Sequence, residues 1–210
     1  NANIKSEKLS KDLNFSVKVL PTIFTSMFPM YRANYDENIY TNECTYEPTS
    51  NLTNLYVCYN RRPRYHRLIM LCSLLSNNIW HRGLISHFKQ DLSQINWEFQ
   101  SYAKMLEAIG PKELDMDLLD NNPAIQYNID HYRQTFLSLI PETGFSSHSV
   151  FLSEKIWKSI RVGHPFIVVG NPGTLTELHN LGFKTFGDWW DESYDEEINL
   201  EKRIKKISKV

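Results

Sequence analysis

Apolar and polar positions along this chain follow two rhythms that alternate. Leu-Tyr-Val-Cys-Tyr at 55–59 is a compact run of strand formers. Helical periodicity then starts, and His66, Leu68, Ile69, Leu71, Cys72, Leu74 and Leu75 make a wide apolar band. The same alternation returns later. Thr-Phe-Leu-Ser-Leu-Ile at 135–140 predicts a strand. Ser153 then caps a helix that starts at Glu154 and carries Ile156, Trp157 and Ile160 on or near one face. Gly163 ends that helix, Pro165 blocks its continuation, and Phe-Ile-Val-Val at 166–169 predicts a buried strand.

Weaker patterns fill the intervals. Residues 79–86 lead into a further short strand. Residues 94–109 predict a helix with Trp97, Tyr102, Met105 and Leu106 inward, stopped by Gly110-Pro111. Residues 129–133 are compatible with helix or extended chain. Residues 111–125 and 144–149 read as loop. After the turn 170–173 come a short helix over 174–180 closed by Gly182, a short last strand over 183–186, and an aromatic, acidic turn. A final helix over 195–207 carries Ile198, Ile204 and Ile207. Residues 1–16 are polar and Lys-rich, 17–28 have room for a strand, and 29–54 read mostly as loop. The expected organisation is a polar, irregular segment over 1–54 and an α/β domain over 55–210. In that domain a Rossmann-like parallel sheet is flanked by helices.

Composition narrows the function classes. The 210 residues are 41% hydrophobic and 22% charged, as in a globular domain, and no apolar run reaches the length of a membrane span. The net charge of −1 argues against general nucleic-acid binding, so any anion site must be local. Cys44, Cys58 and Cys72 lack metal-ligand spacing and cannot all pair, which reads as reduced thiols and a cytoplasmic location. The two Asn-X-Ser/Thr triplets, at Asn14 and Asn51, are taken as chance. The chain starts at Asn1 and enters polar sequence at once, so we expect a fragment or processed product with an upstream domain or partner chain.

Candidate chemistry collects where strands end. The loop after the first strand carries Asn60, Arg61, Arg62 and Arg64, with Arg67 one turn into the helix. Guanidinium groups pair with phosphate oxygens in fork geometry, so this cluster is a phosphate clamp or a solvated basic loop. The strand 135–140 delivers Glu142 to its end. At the helix start, unpaired N–H groups and the Lys155 ammonium suit a phosphate, and Glu154 suits sugar hydroxyls. His148 and His164 flank this stretch and read as loop or cap residues before acid–base groups. Asp188, Asp191 and Glu192 read as turn and capping residues, not metal ligands. No GxGxxG, Walker A or GxSxG motif occurs.

The segments LSLIPETGFSSHSVFLSEKIWKSIRVGHPFIVVG and YVCYNRRPRYHR resemble the donor-binding half of fucosyltransferase-like glycosyltransferases. The order shared with that family is a strand ending in Glu142-Thr143, the helix start Leu152-Ser153-Glu154-Lys155-Ile156, and the strand from Pro165 to Gly170. Tyr59-Asn60 with Arg67 resembles an upstream family feature. The ending GFKTFGDWWDESYDEE is similar to one that recurs in viral and bacterial proteins with the same core. The resemblance spans about 55–195. It implies one half of a GT-B enzyme that holds a nucleotide diphosphate sugar as donor substrate, with no tightly bound cofactor. Glu142 and Glu154 would contact ribose or sugar hydroxyls, and Arg67 and Lys155 the diphosphate, with Asn60 and Arg64 beside them. Thr143 departs from the family's amide, and the family's catalytic base belongs to an acceptor domain that this chain is too short to include. Two readings follow: a glycosyltransferase or its donor-binding domain, acting on an unknown acceptor, or a non-catalytic binding or structural protein of a larger, possibly viral, assembly. A nucleic-acid module built on Arg61–Arg67 is a weaker third.

Overall fold

The computed structural model describes residues 52–60, 64–87, 100–111, 114, 128–145 and 150–210, all within the compact unit Tyr40–Val210. The readings above for 1–51, Arg61, Arg62, Trp97, His148 and most of 111–125 lie outside these residues.

Four strands, β1 (Asn54–Asn60), β2 (Gly83–His87), β3 (Thr135–Pro141) and β4 (Phe166–Val169), form one parallel sheet in the order β2-β1-β3-β4. The helices are α1 (Tyr65–Ser76), α2 (Gln100–Ile109), α3 (Ile129–Arg133), α4 (Glu154–Val162), α5 (Thr174–Asn180) and α6 (Leu200–Ile207). The expected Rossmann-like α/β arrangement is present. Parallel strands need crossovers, and α1 and α4 supply them for β1→β2 and β3→β4. The two crossovers leave the central pair β1–β3 in opposite directions. Right-handed connection then places α1 and α4 on opposite faces of the sheet. Side-chain alternation along β1 agrees. Val57 clusters with Tyr132 of α3 and Val162 of α4, whereas Cys58, one residue on, faces the α1 side, where it senses Arg67.

Local chemistry explains the best-formed elements. Ser153 stands extended before α4 and its Oγ accepts from Lys155 N at 3.3 Å. Gly163 takes the left-handed conformation, φ 71°, that closes the helix. All four β4 residues are buried, as expected for a parallel strand covered on both faces.

Several expectations are corrected. Residues 183–186 form no strand: the Phe186 N–H is taken by the Glu192 carboxylate at 2.9 Å, and the Phe183 and Phe186 rings pack on Trp157 and Phe166. The last helix begins at Leu200, capped by Asn199, after a separate 3₁₀ turn at Ser193–Glu196; Ile198 lies before it and is exposed. In α2 it is Ala103 and Leu106 that are buried, while Met105 faces out. The expected lead into a short strand at 79–86 is present: a 3₁₀ turn (Trp80–Arg82) runs into the strand Gly83–His87. A Cβ at Gly83 would fall 2.3 Å from the Tyr56 ring.

Candidate functional site

Because β1 and β3 are neighbours whose crossovers diverge, their carboxyl ends are the topological switch point of the sheet, the place where open α/β sheets hold a ligand crevice. β1 delivers Asn60 and β3 delivers Glu142 to this position, and the N-terminus of α4 follows.

Glu142 is fully buried, and its carboxylate is enclosed by main chain. Oε2 accepts from Thr143 N at 3.0 Å and from Ser153 N at 3.2 Å, and Oε1 accepts from Ser153 N at 3.1 Å. Burial pushes its pKa up, against the opposing pull of the Lys155 ammonium and these N–H groups. In this geometry Glu142 ties the end of β3 to the residue that caps α4. Gly170, after β4, completes the packing: a Cβ there would meet Thr174 Oγ1 at 2.9 Å and Glu142 Cγ at 3.5 Å.

The first turn of α1 clasps the same loop. His66 Nε2–H donates to the Glu142 carbonyl at 2.8 Å, and Arg67 Nη2 donates to the carbonyls of Glu142 at 3.1 Å and Pro141 at 3.4 Å. Tyr65 Oη donates to the Phe145 carbonyl at 2.8 Å. The Phe145 ring stacks on His66, with centroids 4.8 Å apart, and the guanidinium of Arg203 in α6 lies over the same Phe145 ring, 5.6 Å from its centroid. Arg203 is itself buried and donates to the Gly170 and Glu197 carbonyls, so the C-terminal helix fastens the loops after β3 and β4. Burial drives His66 down to about 3, which keeps it neutral with Nδ1 bare. Sequence reasoning missed Tyr65, His66, Phe145 and Arg203. A histidine inside an apolar helical stripe was the available signal for His66. Nothing local marks Arg203, whose partners are remote in sequence.

Half-buried polar groups gather at the start of α4. Lys155 Nζ donates to Thr143 Oγ1 at 2.9 Å and to Ser153 Oγ at 3.4 Å, and pairs with Glu154 Oε1 at 2.9 Å. Burial alone would raise the Glu154 carboxyl, but Lys155, with Lys158 behind it, turns the net direction downwards. Lys158, one turn along, is pushed by burial down to about 8. Asn60 is 4% exposed; its Nδ2 donates to Cys58 Sγ at 3.1 Å and its Oδ1 has no partner. Arg64 precedes α1 and is exposed, near enough to bias Arg67 and His66.

The fold thus brings Arg64, Arg67, Lys155 and Lys158 into one electrostatic neighbourhood with Glu142 and Glu154, four cationic side chains against two carboxylates. Such a locus attracts an anion. Its two inner members bond differently from what the resemblance implies: the Arg67 guanidinium, 3% exposed, is committed to carbonyls, and the Glu142 carboxylate to N–H groups. His164 is not at this site. It is buried below the sheet, its Nε2–H donating to the Thr135 carbonyl at 2.9 Å and its Nδ1 accepting from Ser138 Oγ at 2.8 Å. Asp191 accepts from Ser193 in a local turn, and Glu192 caps Thr185 and Phe186. Among the described residues no three His, Cys, Asp or Glu side chains are grouped as metal ligands, and no helix is long and apolar enough to cross a membrane. Compared with protein-family models, curated proteins and solved structures, the chain matches none.

Proposed function

We propose that this domain binds a nucleotide diphosphate sugar at the crevice between β1 and β3, as the donor-binding part of a glycosyltransferase. The observation that carries the reading is the excess of cationic side chains at the topological switch point, beside a capped helix N-terminus. In this reading Lys155 exchanges its Glu154 and Thr143 partners for a diphosphate, joined by Arg64 from the start of α1. Arg67 acts from behind by charge, since its Nη2 is engaged by carbonyls. Glu154, freed from Lys155, accepts from hydroxyls of the ribose or sugar, and the unpaired Asn60 Oδ1 accepts a further donor. Charge that grows on the departing diphosphate is stabilised by the cations and the helix dipole. The nucleotide sugar and an acceptor are the partners of this reading, with the acceptor side and the base supplied by another domain or chain, and the location is cytoplasmic.

A second reading has its own support. With Arg67 and Glu142 bonded to the main chain, the site is held together without a ligand. That suits a non-catalytic binding or structural protein that keeps the fold.

Calorimetric titration with a panel of nucleoside diphosphates and nucleotide sugars separates the two. The first reading expects one nucleotide to bind in the micromolar range, on the order of −8 kcal/mol, and Lys155→Ala to weaken it about tenfold or more. A folded chain that binds none of the panel overturns it in favour of the second.

A further inference from the structure

Trp189 is 74% exposed, the most exposed aromatic among the described residues. It is not a loose side chain. Its ring lies 5.6 Å from Phe186 at 32°; Phe186 is stacked on Trp190 at 4.9 Å and 23°, and stands edge-on to Phe166 of β4 at 5.0 Å. The backbone beneath is fixed as well. The Phe186 carbonyl accepts from both Trp189 N and Trp190 N, and Glu192 holds Phe186 N and Thr185 Oγ1. Thr185 in turn accepts from His179 Nε2 at 2.8 Å. A graded stack therefore runs from the core to an indole presented to solvent.

The size of this feature decides what it suits. A stable protein interface takes about 800 Å² from each partner, with an apolar centre several residues wide. One indole offers about 200 Å² at most. The other members of the same turn, Lys184, Gly187, Asp188 and Asp191, are exposed and polar or small. A flat apolar face of one ring's extent, with a donor (Lys184) and an acceptor (Asp188) in the same segment, matches a pyranose. Such a sugar stacks its C–H groups on an aromatic ring while its hydroxyls both give and accept hydrogen bonds. Phe166 opens β4, so the stack stands by the amino end of that strand, away from the carboxyl-end crevice.

We propose that Trp189 is the platform of a carbohydrate-binding site distinct from the crevice, gripping a pyranose unit of a glycan. The proposal does not depend on the donor reading.

Affinity electrophoresis of the full chain through gels that contain soluble cellulose derivatives, xylan, mannan or glycol chitin tests it, with tryptophan fluorescence titration by the matching hexasaccharides. The expected result is retardation by at least one glycan. Trp189→Ala should weaken it at least tenfold, Trp189→Tyr should weaken it less, and the thermal midpoint should be unchanged in both because the ring is mostly in water. Nucleotide titration of Trp189→Ala should match that of the unaltered chain, and Lys155→Ala should leave glycan retardation intact. No retardation by any of the four glycans, or equal retardation of Trp189→Ala, overturns the proposal. So does a Trp189-dependent dimer in sedimentation equilibrium, or capture of an Arg/Lys peptide, without glycan binding.

Discussion

His66 and His164 are both fully enclosed, each with Nε2–H on a carbonyl, and burial lowers them to about 3 and about 4 from an ordinary 6.5. In the unfolded chain each binds a proton below about pH 6.5, but in the folded chain only below its lowered value. The unfolded state therefore takes up the extra proton as pH falls, and stability drains away between about 6.5 and 4 for His164 and further down for His66. Each histidine steepens the loss by about 1.4 kcal/mol per pH unit within its window. Urea midpoints measured from pH 7.5 to 4.5 should hold to about pH 6.5 and then fall, and His164→Asn should flatten that fall while lowering stability at pH 7.5. A slope unaltered in that variant would show that carboxylates alone govern the acid limit. The burial of His66 is foreshadowed in the sequence by its place in an apolar helical band, but that of His164 is not. His164 there is only a residue between Gly163 and Pro165, and its Ser138 and Thr135 partners come from a different strand. Glu142 was legible as a strand-end carboxylate, but its enclosure by Ser153 N and Thr143 N was not, because position along a chain does not report which donors a fold turns inward.

The elements that were read correctly are those whose ends are written in local chemistry. Helix α4 has Ser153 before it, and Gly163 and Pro165 after it. The predicted start at Glu154 and the strand 166–169 coincide with those observed. Where an end depends on distant partners, reading fails. The run 183–186 has strand-forming residues, yet the Glu192 carboxylate takes the N–H that a ladder would need. Residues 195–199 continue a helical apolar pattern, yet the Asp195 carboxylate is spent on Leu175 N and Thr176 N at the start of α5. The C-terminus of α4 offers a sharp check of the local account. Gly163→Ala should cost about 1–2 kcal/mol, since a Cβ in the left-handed region meets the following carbonyl, although open space surrounds the position. Gly163→Asn should cost distinctly less. Denaturant titration of the pair decides the matter, and equal losses would place the penalty in side-chain packing instead.

At the scale of the molecule, the class was legible because strand and helix rhythms alternate, whereas the strand order was not. Nothing in 55–59 or 135–140 says that they lie side by side. That adjacency makes the crevice, and it also divides the sheet's pairings by the length of chain each must close. Tyr56 meets Gly83, and Ser138 meets Phe166, within one crossover apiece, but Asn54 meets Thr135 across about eighty residues, an added closure cost of about 1 kcal/mol. Refolding should therefore be biphasic in hydrogen-exchange pulse labelling, with amides of the β3–β4 pairing protected before those of β1 that face β3. Simultaneous protection would refute the order. The crevice then comes into existence only at the last join, when two halves that formed on their own schedules are sewn along one seam. A molecule bound there would span that seam, and its departure would be felt first as a loosening of the two halves from each other.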